Sequence, residues 1–199
     1  MTLHKSADTT AQLHPLLAER WSPRAFNATH QLDDVDATAL LEAARWAPSA
    51  SNSQPWRFLL THRGDQDFQA LSEVLAEGNR TWAPQASALL LVVAQTTDEA
   101  GRSRPWALYD TGQAVAALSV QAAANGLHVH QLGGFDADAA RHAFDLSDEL
   151  TPVVVVVIGK LDPKAVLPEP LAAREQAPRT REPLQGLLLS SRRNSRRAA

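Results

Sequence analysis

Arg20, Ser22 and Arg24 stand at alternate positions in Arg20-Trp21-Ser22-Pro23-Arg24-Ala25-Phe26. An extended backbone turns alternate side chains to one face, so two guanidinium forks and a hydroxyl point the same way. That is chemistry suited to gripping a phosphate. Near the other end, Arg179-Thr180-Arg181-Glu182-Pro183-Leu184 places Arg179 and Arg181 on one face if it too is extended. Neither G-x-G-x-x-G nor G-x-x-x-x-G-K-[ST] occurs, so no glycine-rich loop offers its backbone to a nucleotide phosphate. A phosphate bound here has to be held by arginines, and the candidates stand at the two ends of the chain.

Two further stretches carry polar groups at informative spacing. In Leu127-His128-Val129-His130-Gln131-Leu132-Gly133-Gly134-Phe135-Asp136, the two histidines would share one face of a strand. Such a pair can seed a zinc site, but no cysteine or adjacent carboxylate completes a ligand set, so no metal is expected. The Gly133-Gly134 pair instead lets a ligand approach the backbone closely. The other stretch is Ala47-Pro48-Ser49-Ala50-Ser51-Asn52-Ser53-Gln54-Pro55-Trp56-Arg57-Phe58. Prolines stop helix at both ends, and the small hydroxyl and amide groups between them can hydrogen-bond while packing against something flat. On its residues alone, a turn-rich connector is the plainer reading. No catalytic triad and no paired carboxylates stand out anywhere in the chain.

Composition sets the frame for these groups. At 199 residues, 44% hydrophobic and 21% charged, the chain fits one globular domain able to bury a sizeable core. It has no cysteine, which excludes disulfides, thiolate metal sites and a cysteine nucleophile together. The first twenty residues show no apolar stretch of the secretory type, and no apolar run approaches the roughly 18 residues of a membrane span. A soluble cytoplasmic protein is the expectation. Net charge is −3, unevenly placed: Arg192, Arg193, Arg196 and Arg197 crowd the end, leaving the body more acidic. Without interleaved aromatic residues, residues 190–199 read as a solvated, disordered tail rather than a nucleic-acid contact.

The elements that must position these groups follow from periodicity. Residues 14–20 read as a short amphipathic helix with Leu13, Leu16 and Leu17 on one side. The next helix starts at Leu32-Asp33-Asp34, capped by either aspartate, and runs through Trp46 with Val35, Leu40, Leu41 and Ala44 at helical spacing. Residues 56–61 read as a strand, 65–78 as an amphipathic helix, and 86–95 as a strand buried on both faces. Residues 106–125 form an alanine-rich helix, apolar around much of its circumference, that asks for burial on more than one side. A core helix and a dimer-interface helix both satisfy that pattern. Residues 136–144 read as a helix, 152–159 as a central strand, and proline-rich 161–178 as an extended arm. This alternation alone also allows a doubly wound α/β domain.

Several ordered segments together carry a resemblance. Ala47-Pro48-Ser49-x-x-Asn52-x-Gln54-Pro55-Trp56, preceded by Leu41-Glu42-Ala43-Ala44-Arg45-Trp46, resembles the signature of the nitroreductase family of flavoenzymes. Arg20-x-Ser22-x-Arg24-x-Phe26, Asn79 ahead of Trp82, the Gly133-Gly134 segment, and Arg179-x-Arg181-x-Pro183 are similar to family segments in the same order. The resemblance spans Arg20 to about Leu184. It implies an α+β fold with a mostly antiparallel sheet flanked by helices, in an intertwined homodimer with FMN at the interface. One FMN-binding domain over residues 1–189 follows, with the basic tail beyond it.

The same resemblance implies a set of cofactor-binding residues. Arg20, Trp21, Ser22 and Arg24 would hold the FMN phosphate and ribityl chain, with Arg179 and Arg181 reaching back to the phosphate. Pro48, Ser49, Ala50 and Asn52, from the partner subunit, would line the ring's edge. Asn79 would bond the pyrimidine edge, and Gly133 and Gly134 would pass beside N5, with the Gly134 N–H near it. Two positions depart from the family pattern: many members have glutamate where this chain has Gly133, and proline where it has Gln131. The implied reaction is ping-pong, with NADH or NADPH passing hydride to the flavin before a nitroaromatic, quinone or similar electrophile takes its place. No side chain then has to act as nucleophile or base. Rival readings are a relative that reduces enones or halogenated substrates, and a flavin-binding redox sensor without substantial turnover whose tail contacts nucleic acid.

Overall fold

The computed structural model describes residues 5–189, so the tail over residues 190–199 lies outside the described residues. The short helix α1 (Pro15–Glu19) opens on a proline, whose fixed φ and missing N–H suit a first helical position. α2 (Asp34–Arg45) is capped by Asp33, whose carboxylate accepts from the Asp36 N–H at 2.8 Å. A 3-10 turn (Ala50–Asn52) occupies the proline-bounded loop and leads into β1 (Trp56–His62). Then come α3 (Gln66–Glu73), α4 (Glu77–Arg80), β2 (Ala88–Gln95), α5 (Ala107–Ala124) and β3 (His128–Leu132). The chain continues with α6 (Ala137–Ala143), β4 (Leu150–Gly159), α7 (Leu171–Gln176) and α8 (Leu184–Leu187).

Strand order is β1-β2-β4-β3, and every pairing is antiparallel. The architecture is therefore α+β, and the doubly wound alternative fails because it needs parallel neighbours. Alternation along β2 and β4 divides the core into two layers. Leu90, Val92, Val156 and Ile158 face α2 and α5, meeting Leu40, Val115 and Leu118. Leu89, Leu91, Val155 and Val157 face the opposite way, onto Phe68, Leu71, Leu75 and Trp82. Burial on both faces explains why β2 and the second half of β4 lack polar alternation.

Four local expectations change. The helix expected over 65–78 is broken, because the backbone at 74–76 pairs with another strand-like segment instead of itself. Leu75 bridges Phe135, the Ala76 N–H donates to the Gly134 carbonyl at 2.9 Å, and the Asp136 N–H donates to the Val74 carbonyl at 2.8 Å. The arm over 161–178 is not extended throughout: α7 forms after Pro168 and Pro170, where Leu167 and Leu171 pack on the second core layer. Val35 is 79% exposed, on the outer side of α2. Leu13 and Leu17 are also exposed, so the apolar side of α1 is largely uncovered in the single chain.

Because Leu90 is fully buried on the central strand β2, Leu90→Ala should lower unfolding free energy by about 2–5 kcal/mol. A urea titration followed by far-UV circular dichroism would show the midpoint falling accordingly.

Candidate functional site

The segment after α1 is drawn across the molecule by contacts distant in sequence. The Asn27 N–H donates to the Lys160 carbonyl, and the Asp162 N–H to the Ala25 carbonyl, both at 2.9 Å. Beside this segment a cleft of about 290 Å³ opens, lined by Lys5, Arg20, Trp21, Ser22, Arg24, Arg174, Ala177, Pro178, Arg179, Thr180 and Arg181. The structure thus brings together Arg20, Trp21, Ser22, Arg24, Arg179 and Arg181, taken from the two ends of the chain. It adds two cations that spacing alone does not reveal, Lys5 and Arg174. Among the described residues, six cationic side chains line the cleft and no carboxylate does.

Charge in the cleft is uncompensated enough to act on its own members. Burial pulls the Arg20 guanidinium below its ordinary range, and the neighbouring Arg179 and Arg181 pull it further. Arg179 is lowered by burial first and by Arg181 next, with Glu19 opposing. Lys5 is lowered by burial, against which Glu175 acts, while Arg24 and Arg179 push it the same way as burial does. Arg20 sends Nη1 toward the Ser22 hydroxyl at 3.4 Å. Arg179 has a double duty: its Nη1 donates to the carbonyls of Lys5 and Ala18, both at 2.7 Å, stitching the N-terminal segment to the C-terminal arm. Arg181 is exposed, and its Nη1 donates to the neighbouring Thr180 carbonyl.

Beneath the cleft lies an aromatic floor. Trp21 is buried, with the Lys5 ammonium 4.6 Å from its ring centroid. Trp82 is 1% exposed, stacks on Phe26 and carries the Arg24 guanidinium over its ring at 5.9 Å. The two histidines of β3 point into this floor, His128 edge-on to Trp21 and His130 against Trp82 at 4.8 Å. His130 Nδ1 lies 2.8 Å from the Pro23 carbonyl, so that nitrogen carries the proton and donates. Burial pushes His130 down to about 4, and Arg24 and Arg20 add to the effect despite the bond to Pro23. The histidines support the segment carrying Arg20, Ser22 and Arg24. The Trp82 indole N–H and His128 Nδ1 are buried without a hydrogen-bond partner among the described residues.

Asn79 and Gly134 also meet. Asn79 Nδ2 donates to the Gly134 carbonyl at 2.9 Å, which ties α4 to the segment after β3. The break between α3 and α4 makes this possible. A Cβ added at Gly134 would stand 2.9 Å from Asn79 Nδ2, too close to keep the contact, whereas one at Gly133 would meet nothing within 4 Å. A side chain at 134 would displace the Asn79 amide, whereas glycine at 133 leaves open space. Gln131 reaches the other side of β3 and donates from Nε2 to the Ser119 hydroxyl of α5 at 3.1 Å.

The proline-bounded loop, with Pro48, Ser49, Ala50 and Asn52, is anchored on α5. Asp110, 3% exposed, accepts from the Ala50 N–H through Oδ2 at 3.0 Å. Ser49 Oγ accepts from the Gln54 N–H at 3.0 Å. Three residues of the loop, Ser51, Asn52 and Gln54, have φ of 52, 54 and 44°. Backbone in that left-handed region is costly for residues other than glycine and persists where surroundings impose it. Pro48 and Ala50 remain exposed beside Trp46 and Trp106, which are 75% and 62% exposed.

Sequence reasoning passes over Glu175 and Asp110 as well as Lys5 and Arg174. Glu175 is 3% exposed, and its carboxylate accepts from the backbone N–H groups of Arg24 and Ala25. Nothing in Ala172-Ala173-Arg174-Glu175-Gln176 separates it from a solvated helix face. For Asp110 a signal exists: a lone acid early in an otherwise apolar helix.

Comparison with known proteins agrees with this fold. The model for the family described as "Nitroreductase family" matches residues 17–160. A protein of Mycolicibacterium smegmatis, known only as an uncharacterized 15.4 kDa protein, is 34% identical over 144 residues, 68% of this chain and 96% of its own length. YodC of Bacillus subtilis, whose name proposes an NAD(P)H nitroreductase, is 25% identical over 176 residues, covering 73% of this chain and 87% of YodC. Among solved structures, one described as an oxidoreductase containing FMN superposes with a TM-score of 0.88 at 36% identity, covering 96% of this chain and 98% of the other.

The site also makes a pH prediction. In the folded chain His130 stays neutral down to about 4, while in the unfolded chain it takes a proton near 6.5. Its contribution to stability is therefore complete above pH 6.5 and is lost as pH falls from 6.5 toward 4. The full loss is about 3 kcal/mol. Urea midpoints measured from pH 7 to 4.5 should fall more steeply for the native chain than for His130→Gln.

Proposed function

The chain belongs to the nitroreductase family, and from that premise we propose that it is an FMN-dependent oxidoreductase using NADH or NADPH to reduce electrophilic acceptors of the nitroaromatic or quinone class. The observation that carries this reading is the cleft with six cations and no carboxylate in its lining. Burial and like charge destabilise the cations here, Arg179 and Arg181 adding to burial at Arg20 and Arg181 adding to burial at Arg179, and an anion between them relieves the repulsion. A phosphate monoester supplies about two negative charges and oxygens that match guanidinium forks.

When bound, FMN supplies hydride acceptance from the nicotinamide and delivery to the acceptor, in two half-reactions at one site. The chain's own residues bind and orient. Arg20, Ser22, Arg24, Arg179 and Arg181, with Lys5 and Arg174, grip the phosphate and ribityl chain. The backbone at Gly133 and Gly134, fixed by Asn79, provides the polar edge on which a reduced, anionic ring is favoured. With no side chain at 133, the acceptor side of that edge is open.

The reading includes a homodimer. Leu108, Gly112 and Ala116 are exposed at intervals of four along α5, and Trp106 and Tyr109 are exposed at its start. These residues form an apolar, small-residue strip next to the loop carrying Pro48, Ser49, Ala50 and Asn52. A second copy seated on that strip would present its own loop to the edge of the flavin ring.

The purified protein should show flavin bands that bleach on anaerobic NADPH or NADH and return rapidly with a quinone or nitroaromatic. Arg20→Ala should weaken FMN binding roughly ten- to a hundredfold, the loss expected for a hydrogen bond to a charged group. A colourless protein that also takes up no added FMN would sink the reading. Bleaching without reoxidation by any acceptor would favour a redox sensor.

A further inference from the structure

We infer that Glu175 is the positioning residue of the phosphate grip: it sets the backbone of the Arg24 segment and the place of Lys5. The inference rests on the reading of the cleft as the FMN phosphate site.

Glu175 lies behind the cleft, outside its lining. Its Oε1 accepts from the N–H groups of Arg24 at 3.0 Å and Ala25 at 3.2 Å, and Oε2 accepts from the Arg24 N–H at 3.1 Å. Oε2 also stands 3.9 Å from Arg24 Nη1. The Glu175 main-chain carbonyl accepts from Lys5 Nζ at 2.6 Å. One residue of α7 thus holds two of the cleft's six cations, one through its backbone N–H and one through its ammonium.

Physical chemistry favours a positioning role over an incidental ion pair. A carboxylate 3% exposed has lost most of its hydration and must be repaid by hydrogen bonds. The repayment here comes from two adjacent backbone donors, a geometry that depends on the path of residues 24–25. Arg24 has the Trp82 ring on one side and Glu175 on the other, so both its backbone and its guanidinium are held before any anion arrives. Preorganisation of this kind raises affinity by removing ordering cost at the moment of binding.

The test compares FMN with riboflavin, which carries the same ring and ribityl chain without the phosphate. Dissociation constants for both, read by quenching of flavin fluorescence, are measured on the native chain, Glu175→Ala and Glu175→Gln. The native chain should prefer FMN. Glu175→Ala, which removes the acceptor, should weaken FMN roughly tenfold and leave riboflavin within about twofold, so that the preference collapses. Glu175→Gln, whose amide oxygen still accepts, should recover most of the FMN affinity. Should Glu175→Ala fail to fold, Glu175→Asp, one methylene short of the N–H pair, replaces it with the same expected loss of preference.

Unchanged FMN affinity in Glu175→Ala overturns the inference. So does an equal loss for both flavins, which marks general damage, and so does a Gln variant as weak as the Ala variant. A native chain that binds both flavins equally, or neither, instead overturns the assignment of the cleft to the FMN phosphate.

Discussion

Confinement of like charge is the constraint on which the site depends. Six cations share one cleft, and in water at short range such neighbours repel by an amount that the protein's lower effective dielectric increases. The fold offsets this from outside the lining. Arg179 spreads its charge into two carbonyls, Arg24 faces Glu175 and an indole ring, and Lys5 sits over Trp21 while donating to a carbonyl. Arg20, Arg174 and Arg181 are left with less. The result is a cleft that retains its cations and keeps part of their charge uncompensated for an anion.

A second constraint acts at the other end of the site. The loop over residues 47–55 adopts a backbone that its own residues disfavour, and a buried carboxylate on α5 holds it there. Such strain survives where the scaffold over-determines it. α5 is a suitable scaffold because its buried face, with Ala114, Leu118 and Ala122, packs into the first core layer along its length. The same helix presents Ser119 to Gln131 on β3, so the loop and the strand leading to Gly133 and Gly134 are referenced to one rigid body.

Much of this was legible in the residues, for physical reasons. Alternate arginines in extended segments, proline stops, an aspartate N-cap and an apolar run of strand length are local signals, and each survives in the fold. Glu175 and Lys5 were not legible, because their partners lie 151 and 170 residues away, and Asp110, a lone acid in an apolar helix, gave a signal without naming its partner 60 residues off. The break between α3 and α4 was hidden for a related reason: residues 74–76 have ordinary helical character, and only the distant backbone at 134–136 draws them out. The direction of strand pairing was equally non-local. Periodicity marked strands at 56–61, 86–95 and 152–159 and left open whether they run parallel; the β1-β2-β4-β3 order with antiparallel neighbours answers that.

The cleft joins residues 5–24 to residues 174–181, with the whole sheet and both core layers lying between them in sequence. During synthesis the chain can therefore pair its strands and pack its helices before the cationic cleft exists in any form. Only after Arg181 has left the ribosome do the two ends meet. Closure of the cationic cleft is in this sense the last act of folding: a truncated or stalled chain can carry most of the core and still lack it.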